Sequence, residues 1–349
     1  MRMTSFFGLL LAVLLSAIPG APGSPLEFTV SETAGLRRFG YPVTASLECA
    51  RGAIRDAATA RLLSTAGKEL PAQFTVLTSW DDGSVRKLDV DFTSSVGPME
   101  SETYRVALSG GNPKIAGRGL AVTETADEIV VASKAISHRI RRDGKPLLTS
   151  IVNGKTEYLA AGGVATSVPP GRFEVLKRGP FNVTLRSGPV TLEYVSSKSW
   201  VKITEQATAS TELAVEAQFA LPESPVTWDL GVESWLYGQF PKPSDSAELR
   251  QQGDGWRVLT GDGKAYATGK RCEGWGHLSD KQRVVAFGVA DFGAGGDPDI
   301  RFSADGHFRA SAKRKELTVY FHFVGHPVQV TALTSPPSML APLVVKAGK

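Results

Sequence analysis

The chain has few of the residues that build metal centres and covalent scaffolds. Its 349 residues include two cysteines, Cys49 and Cys272, and five histidines. Two thiols cannot form a disulfide scaffold; they either pair with each other or stand as two separate buried thiols. With no C-x-x-C and no clustered Cys/His group, a tetrahedral zinc site is not expected. Excess charge of one sign is also missing, since 39 Lys+Arg against 35 Asp+Glu leave +4. The one short basic cluster, Lys313-Arg314-Lys315, is followed at once by Glu316 and reads as a solvated hairpin tip. That balance speaks against nucleic acid and against a membrane surface as partners. Only one long apolar run exists, Phe6 to Ile18, behind Arg2 and ahead of the turn-forming Pro19-Gly20-Ala21-Pro22-Gly23-Ser24. It reads as an export signal over residues 1–24, which implies a secreted or periplasmic protein without stable membrane insertion.

The signatures of several enzyme classes are absent too. There is no G-x-S-x-G elbow and no G-x-G-x-x-G after a strand. Gly263 to Lys270 resembles a phosphate loop, but five residues separate Gly263 from Gly269, and Arg271 stands where Ser or Thr is required. His322 and His326 are four apart on a strand, which separates them by about 13 Å. Asp297, Asp299 and Asp305 lie in a glycine-rich loop, yet Arg301 and Phe302 break the calcium-loop spacing. No metal and no cofactor are expected, and the sequence leaves the oligomeric state open.

What is present is β pattern. Leu88, Val90 and Phe92 alternate with Lys87, Asp89 and Asp91 after an Asp82-Gly83 turn, and Gln73 to Leu77 precede it as the partner strand. Further short strands are read at Thr44–Cys49, Tyr104–Leu108 and Ile129–Val131. Turns at Asp143-Gly144 and Asn153-Gly154 punctuate the next ones, and 189–195 pairs with 200–206. Residues 54–64 are alanine-rich and read either as a short helix or as loop plus strand. Without the leader about 325 residues remain, enough for two domains. Ser109-Gly110-Gly111-Asn112-Pro113 is the clearest linker.

The hairpin, together with Ala34-Gly35-Leu36-Arg37-Arg38-Phe39-Gly40-Tyr41-Pro42-Val43-Thr44 and Leu70-Pro71-Ala72-Gln73-Phe74, resembles the start of exo-rhamnogalacturonan lyase-like (PcRGLX/YetA-like) proteins. Lys87 departs from the aromatic often found at its place in that family. The resemblance implies an all-β fold: a small N-terminal RIFT-type barrel over 25–112 and a large antiparallel β-sandwich over 113–349. The sandwich would be similar to those of mutarotases and several polysaccharide lyases. The family's helical toroid is not expected in this chain, since no long amphipathic helical region is read after Met339.

The chemistry expected from the resemblance is β-elimination at a uronate. That reaction needs a cation on the carboxylate, a base for the C5 proton and a proton for the leaving oxygen. His277 with Arg271 is the better candidate pair; His138 with Arg139 is the other, though alternation sends those two to opposite faces. The richest patch for sugar contact is Trp235, Tyr237 and Gln239 with Glu273 and Trp275. Aromatic faces stack on sugar C–H surfaces while amide and carboxylate groups take the hydroxyls. The bland account of Trp235 and Trp275 is that they fill the sandwich core. The functional expectation is an exported protein that acts on or binds acidic, pectin-like polysaccharide. The alternative is a non-catalytic glycan-binding or envelope-assembly protein. A pocket holding both base and cation would mark the enzyme; an open aromatic shelf would mark the binder.

Overall fold

The structure is a computed structural model that describes residues 26–108, 111, 119–233, 235–324 and 335–348. The expected export signal, most of the linker and His326 lie outside those residues. The described chain is all-β. The N-terminal unit contains β1 (Leu26–Ser31), β2 (Tyr41–Glu48), β3 (Arg61–Ser64), β4 (Glu69–Leu70), β5 (Ala72–Ser79), β6 (Val85–Ser94) and β7 (Ser101–Ala107). Next come β8 (Ala121–Glu124), β9 (Glu128–Ala132), β10 (Ile136–Arg141), β11 (Leu148–Asn153), β12 (Thr156–Glu157) and β13 (Leu159–Thr166). They lead into β14 (Glu174–Arg178), β15 (Asn182–Ser187), β16 (Val190–Val195), β17 (Trp200–Phe219), β18 (Val226–Val232) and β19 (Leu236–Phe240). Then follow β20 (Ser246–Gln252), β21 (Gly255–Thr260), β22 (Ala265–Gly269), β23 (Cys272–Ser279) and β24 (Val284–Val289). The last are β25 (Asp299–Ser303), β26 (His307–Val324) and β27 (Val344–Ala347).

The N-terminal unit is two sheets around one core: β27-β1-β7-β3-β4 and β2-β6-β5. The predicted hairpin is there, with Phe74 opposite Val90 and Gln73 opposite Asp91. Gly83 supplies the positive φ (81°) at its tip. Leu88, Val90 and Phe92 are buried as the alternation requires, but Asp89 and Asp91 on the opposite face are buried too. They are covered by the sandwich: Lys177 on β14 reaches Asp89 (2.5 Å) and Asp91 (3.4 Å). Asn182 donates to Asp91 (3.2 Å), while Gln73 accepts the backbone N–H of Phe181 (3.0 Å) and Asn182 (2.9 Å). The 54–64 segment resolves as loop plus strand. A single 3-10 turn, Ala57–Thr59, is capped by Asp56 and gives way to β3, which buries Leu62 and Leu63.

The sandwich is built on two unusually long strands. Residues 200–206 of β17 pair with 316–322 of β26, and residues 211–218 pair with 307–314, with a register break between Gln206 and Thr211. Each long strand thereby serves both sheets. One sheet continues from them through β16, β15 and β14 on one side and β24, β23, β18 and β19 on the other. The second continues through β13, β11, β10, β9 and β8, and through β25, β20, β21 and β22. The expected hairpin tip at Lys313-Arg314-Lys315 is therefore the crossing point of β26. Arg314 is anchored there by the carbonyls of Ala290, Asp291 and Gly295. Between the sheets Phe308 meets Phe287 and Phe321 at ring distances of 5.0 and 5.2 Å. Each such side chain adds roughly 1.5–3 kcal/mol on burial.

The N-terminal unit rests on the outer face of the first sheet, where Trp200 joins its core beside Tyr41 (6.0 Å). The short helix Ser335–Leu340 lies against β24, and the chain then returns as β27 to pair with β1. Arg38 fixes that return. It pairs with buried Glu32 (3.1 Å) and donates to the carbonyls of Ser338 (3.2 Å) and Ala341 (2.5 Å). Cys49 and Cys272 are both free thiols, Cys49 buried in the N-terminal core and Cys272 half-buried against the sandwich core.

Candidate functional site

The site is organised by β18, which runs between β19 and β23. Trp228 and Leu230 face the core, so Asp229 between them faces out, opposite Tyr237 on one side and His277 on the other. This pairing brings the 235–239 and 271–277 segments to the two strands that flank β18. Asp229 Oδ1 lies 2.7 Å from His277 Nδ1. A carboxylate partner makes Nδ1 the donor, so in the neutral ring Nε2 is the acceptor. His277 is only 3% exposed, and its Nε2 has no hydrogen-bond partner among the described residues.

Beside this pair, aromatic rings stand in solvent. Tyr237 is 77% exposed, Trp235 54% and Tyr266 49%. Trp235 also has a left-handed backbone (φ 43°), which costs a residue with a Cβ about 1–2 kcal/mol. A large, exposed ring held in a strained position is a pattern found at ligand sites. Tyr266 on β22 donates its hydroxyl to the carbonyl of Tyr237 on β19 (3.1 Å), joining the edge strand of one sheet to that of the other. Its ring packs edge-on against Trp228 at 5.4 Å. Tyr237, Gln239 and Tyr266, with Asp229 and His277, border an open cleft of about 430 Å³.

Trp275 is half-buried rather than core. Its ring lies on Gly231, where a Cβ would come within 2.1 Å of the indole, and its Nε1 donates to Glu273 (2.8 Å). Arg271 is directed elsewhere: it is mostly exposed and paired with Glu273 at 3.1 Å. Its backbone N–H, with that of Lys270 and the indole N–H of Trp256, is held by Glu233. Those hydrogen bonds hold the Glu233 carboxyl down to about 2. Base and cation are thus not brought together at the cleft. His138 is sealed between the sheets, 4.8 Å from the Tyr194 ring, and burial pushes its imidazole down to about 3. Arg139 points to the opposite face and pairs with Glu128 (2.7 Å). His322 stands opposite Trp200 and Ala286, and burial, with Lys198 and His277 nearby, pushes it down to about 4. No cluster of three metal-ligating side chains occurs among the described residues.

Two members of the site escape sequence reading. Asp229 is signalled only by one acid inside the alternating run Val226 to Leu230, and Tyr266 by one aromatic between Ala265 and Ala267. A separate apolar cavity of about 440 Å³ opens beside Phe219, Leu221 and Phe240, with few polar groups to orient a ligand.

No protein-family model matches the chain, and no curated protein does. Among solved structures it is similar to a TPR-domain containing protein from Parabacteroides distasonis, at 11% identity and a TM-score of 0.35. The match covers 89% of this chain and 60% of that one, so the chain spans less than two thirds of the length of the structure it matches. No helix among the described residues is long and apolar enough to cross a membrane.

Proposed function

We propose that this is a carbohydrate-binding protein whose sugar site is the cleft bordered by Tyr237, Gln239 and Tyr266. The observation that carries the reading is the pair of exposed aromatic rings at the sandwich edge, Tyr237 and Tyr266, bordering a cleft with amide, carboxylate and imidazole groups, with exposed Trp235 two residues along the chain from Tyr237. Such a set matches the two surfaces of a sugar, apolar C–H faces and a hydroxyl rim. An open shelf with no arginine in its lining, and with Arg271 engaged by Glu273, favours binding over elimination. Of the two sequence expectations, the non-catalytic glycan binder is the one this geometry supports. The test is a glycan array with wild-type protein, Tyr237→Ala and Tyr266→Ala. Each variant loses about 1 to 3 kcal/mol of affinity, and Tyr237→Ala, whose ring stands in solvent, melts like wild type; unchanged binding by both variants overturns the assignment.

A further inference from the structure

The cleft at Asp229 does not end at Tyr266. A second cleft, of about 450 Å³, adjoins it, and Trp228, Gln239 and Tyr266 line both. The first lies against β19 of one sheet; the second reaches Ser246 on β20 and Thr260 on β21 of the other. Together they cross the open edge of the sandwich. Two adjoining clefts, each of ligand size, suit a chain of sugar units better than a single one.

The lining has a definite chemistry. Ser244, Ser246, Thr260 and Gln239 offer hydroxyl and amide groups, and Asp229, Asp245 and Asp262 are the charged acids. Neither lysine nor arginine lines either cleft, and nearby Lys264 is engaged by Asp262 at 2.7 Å. A uronate carboxylate placed here would lose water next to like charges with no cation to receive it.

We infer that the two clefts form one groove for an extended, uncharged glycan chain, with two subsites that share Gln239 and Tyr266 as their common wall. The inference rests on the sugar-binding reading above and narrows it, replacing the acidic chain that the family resemblance implies with a neutral one.

The test is calorimetric titration of the full-length protein with neutral gluco-, manno-, xylo- and galacto-oligosaccharides of two to six units, alongside oligogalacturonides of the same lengths. Ser244→Trp, at an exposed turn position, fills the second cleft and leaves the first intact. Wild-type affinity for one neutral series should rise at least about tenfold from two to six units. Ser244→Trp should abolish that rise, and oligogalacturonides should bind more weakly than the neutral series. Length-independent binding that still requires Tyr237 overturns the extended groove and leaves the sugar site standing. Preference for oligogalacturonides overturns the assignment of charge. Binding of no sugar, or binding indifferent to Tyr237→Ala, overturns the sugar site itself.

Discussion

Replacing Lys177 by methionine should unfasten the N-terminal unit from the sandwich. Lys177 Nζ sits 2.5 Å from Asp89 and 3.4 Å from Asp91, and all three side chains are at most 12% exposed. Thr44 and Ser46 donate to the same acids at 2.5 and 2.6 Å, and Asn182 adds a third donor to Asp91. Methionine keeps the bulk of the stem but leaves two buried carboxylates facing each other without a cation. Removing one partner of a buried ion pair costs about 3–5 kcal/mol, a large part of the ~5–15 kcal/mol that holds a typical protein folded. At roughly 2–4 °C per kcal/mol for domains of this size, the melting temperature should fall by about 6–20 °C.

The loss should depend on pH in a defined direction. Burial raises the Asp91 carboxyl above its ordinary value, against the lowering effect of Lys177. A carboxyl raised in the folded state opposes folding when ionised. That cost is absent below the unfolded-state value and grows as pH climbs to the folded-state one. Without Lys177 the cost is larger, so the gap between variant and wild type should be wide at pH 7 and narrow at pH 4. Thermal melts of wild type, Lys177→Met and Lys177→Met/Asp91→Asn across that range read this directly, with the double variant recovering part of the loss at pH 7. A variant as stable as wild type at pH 7, or a gap that is the same at pH 4, would refute the reasoning.

Other outcomes follow from the site and its supports. Gly231→Ala places a Cβ within 2.1 Å of the Trp275 indole and should cost about 1–3 kcal/mol with a shift in tryptophan emission; unchanged emission would place Trp275 elsewhere. Trp235→Gly removes the ring but relieves a left-handed backbone, so glycan affinity should fall while stability holds or rises by up to about 1 kcal/mol. A drop in melting temperature would show Trp235 to be a packing residue. Burial pushes the thiols of Cys49 and Cys272 up to about 11 and about 12. Both should alkylate slowly at pH 8, and reductant should leave the melting temperature unchanged; a reductant-sensitive melt would reveal a bridge.

The β character was legible because alternation and Gly-containing turns are local signals. The 73–92 hairpin, the 189–206 pair and the turns at Gly144 and Gly154 all follow from them. Long-range consequences were not legible. Alternation puts Asp89 and Asp91 on the face away from the core, but what covers that face, Lys177, lies more than eighty residues away. The length of β17 was hidden by the polar run Gln206-Ala207-Thr208-Ala209-Ser210-Thr211, which looks like a turn and serves as the bend between sheets. Nothing local marks Val344–Ala347 as a partner for the first strand. At the site, Tyr237 and His277 were visible as unusual residues beside glycine, but only strand pairing supplies Asp229 between them. On β10 His138 is buried between the sheets, and Arg271 is turned to Glu273, which separates the bases from the cations proposed to work with them.

The most direct measurement of the central claim is a crystal structure of the protein with the tightest-binding oligosaccharide from the array. The account predicts sugar rings stacked on Tyr237 and Tyr266, with Gln239 in hydrogen-bond reach of a hydroxyl. An oligosaccharide bound away from this edge, with Tyr237 and Tyr266 bare, would contradict it.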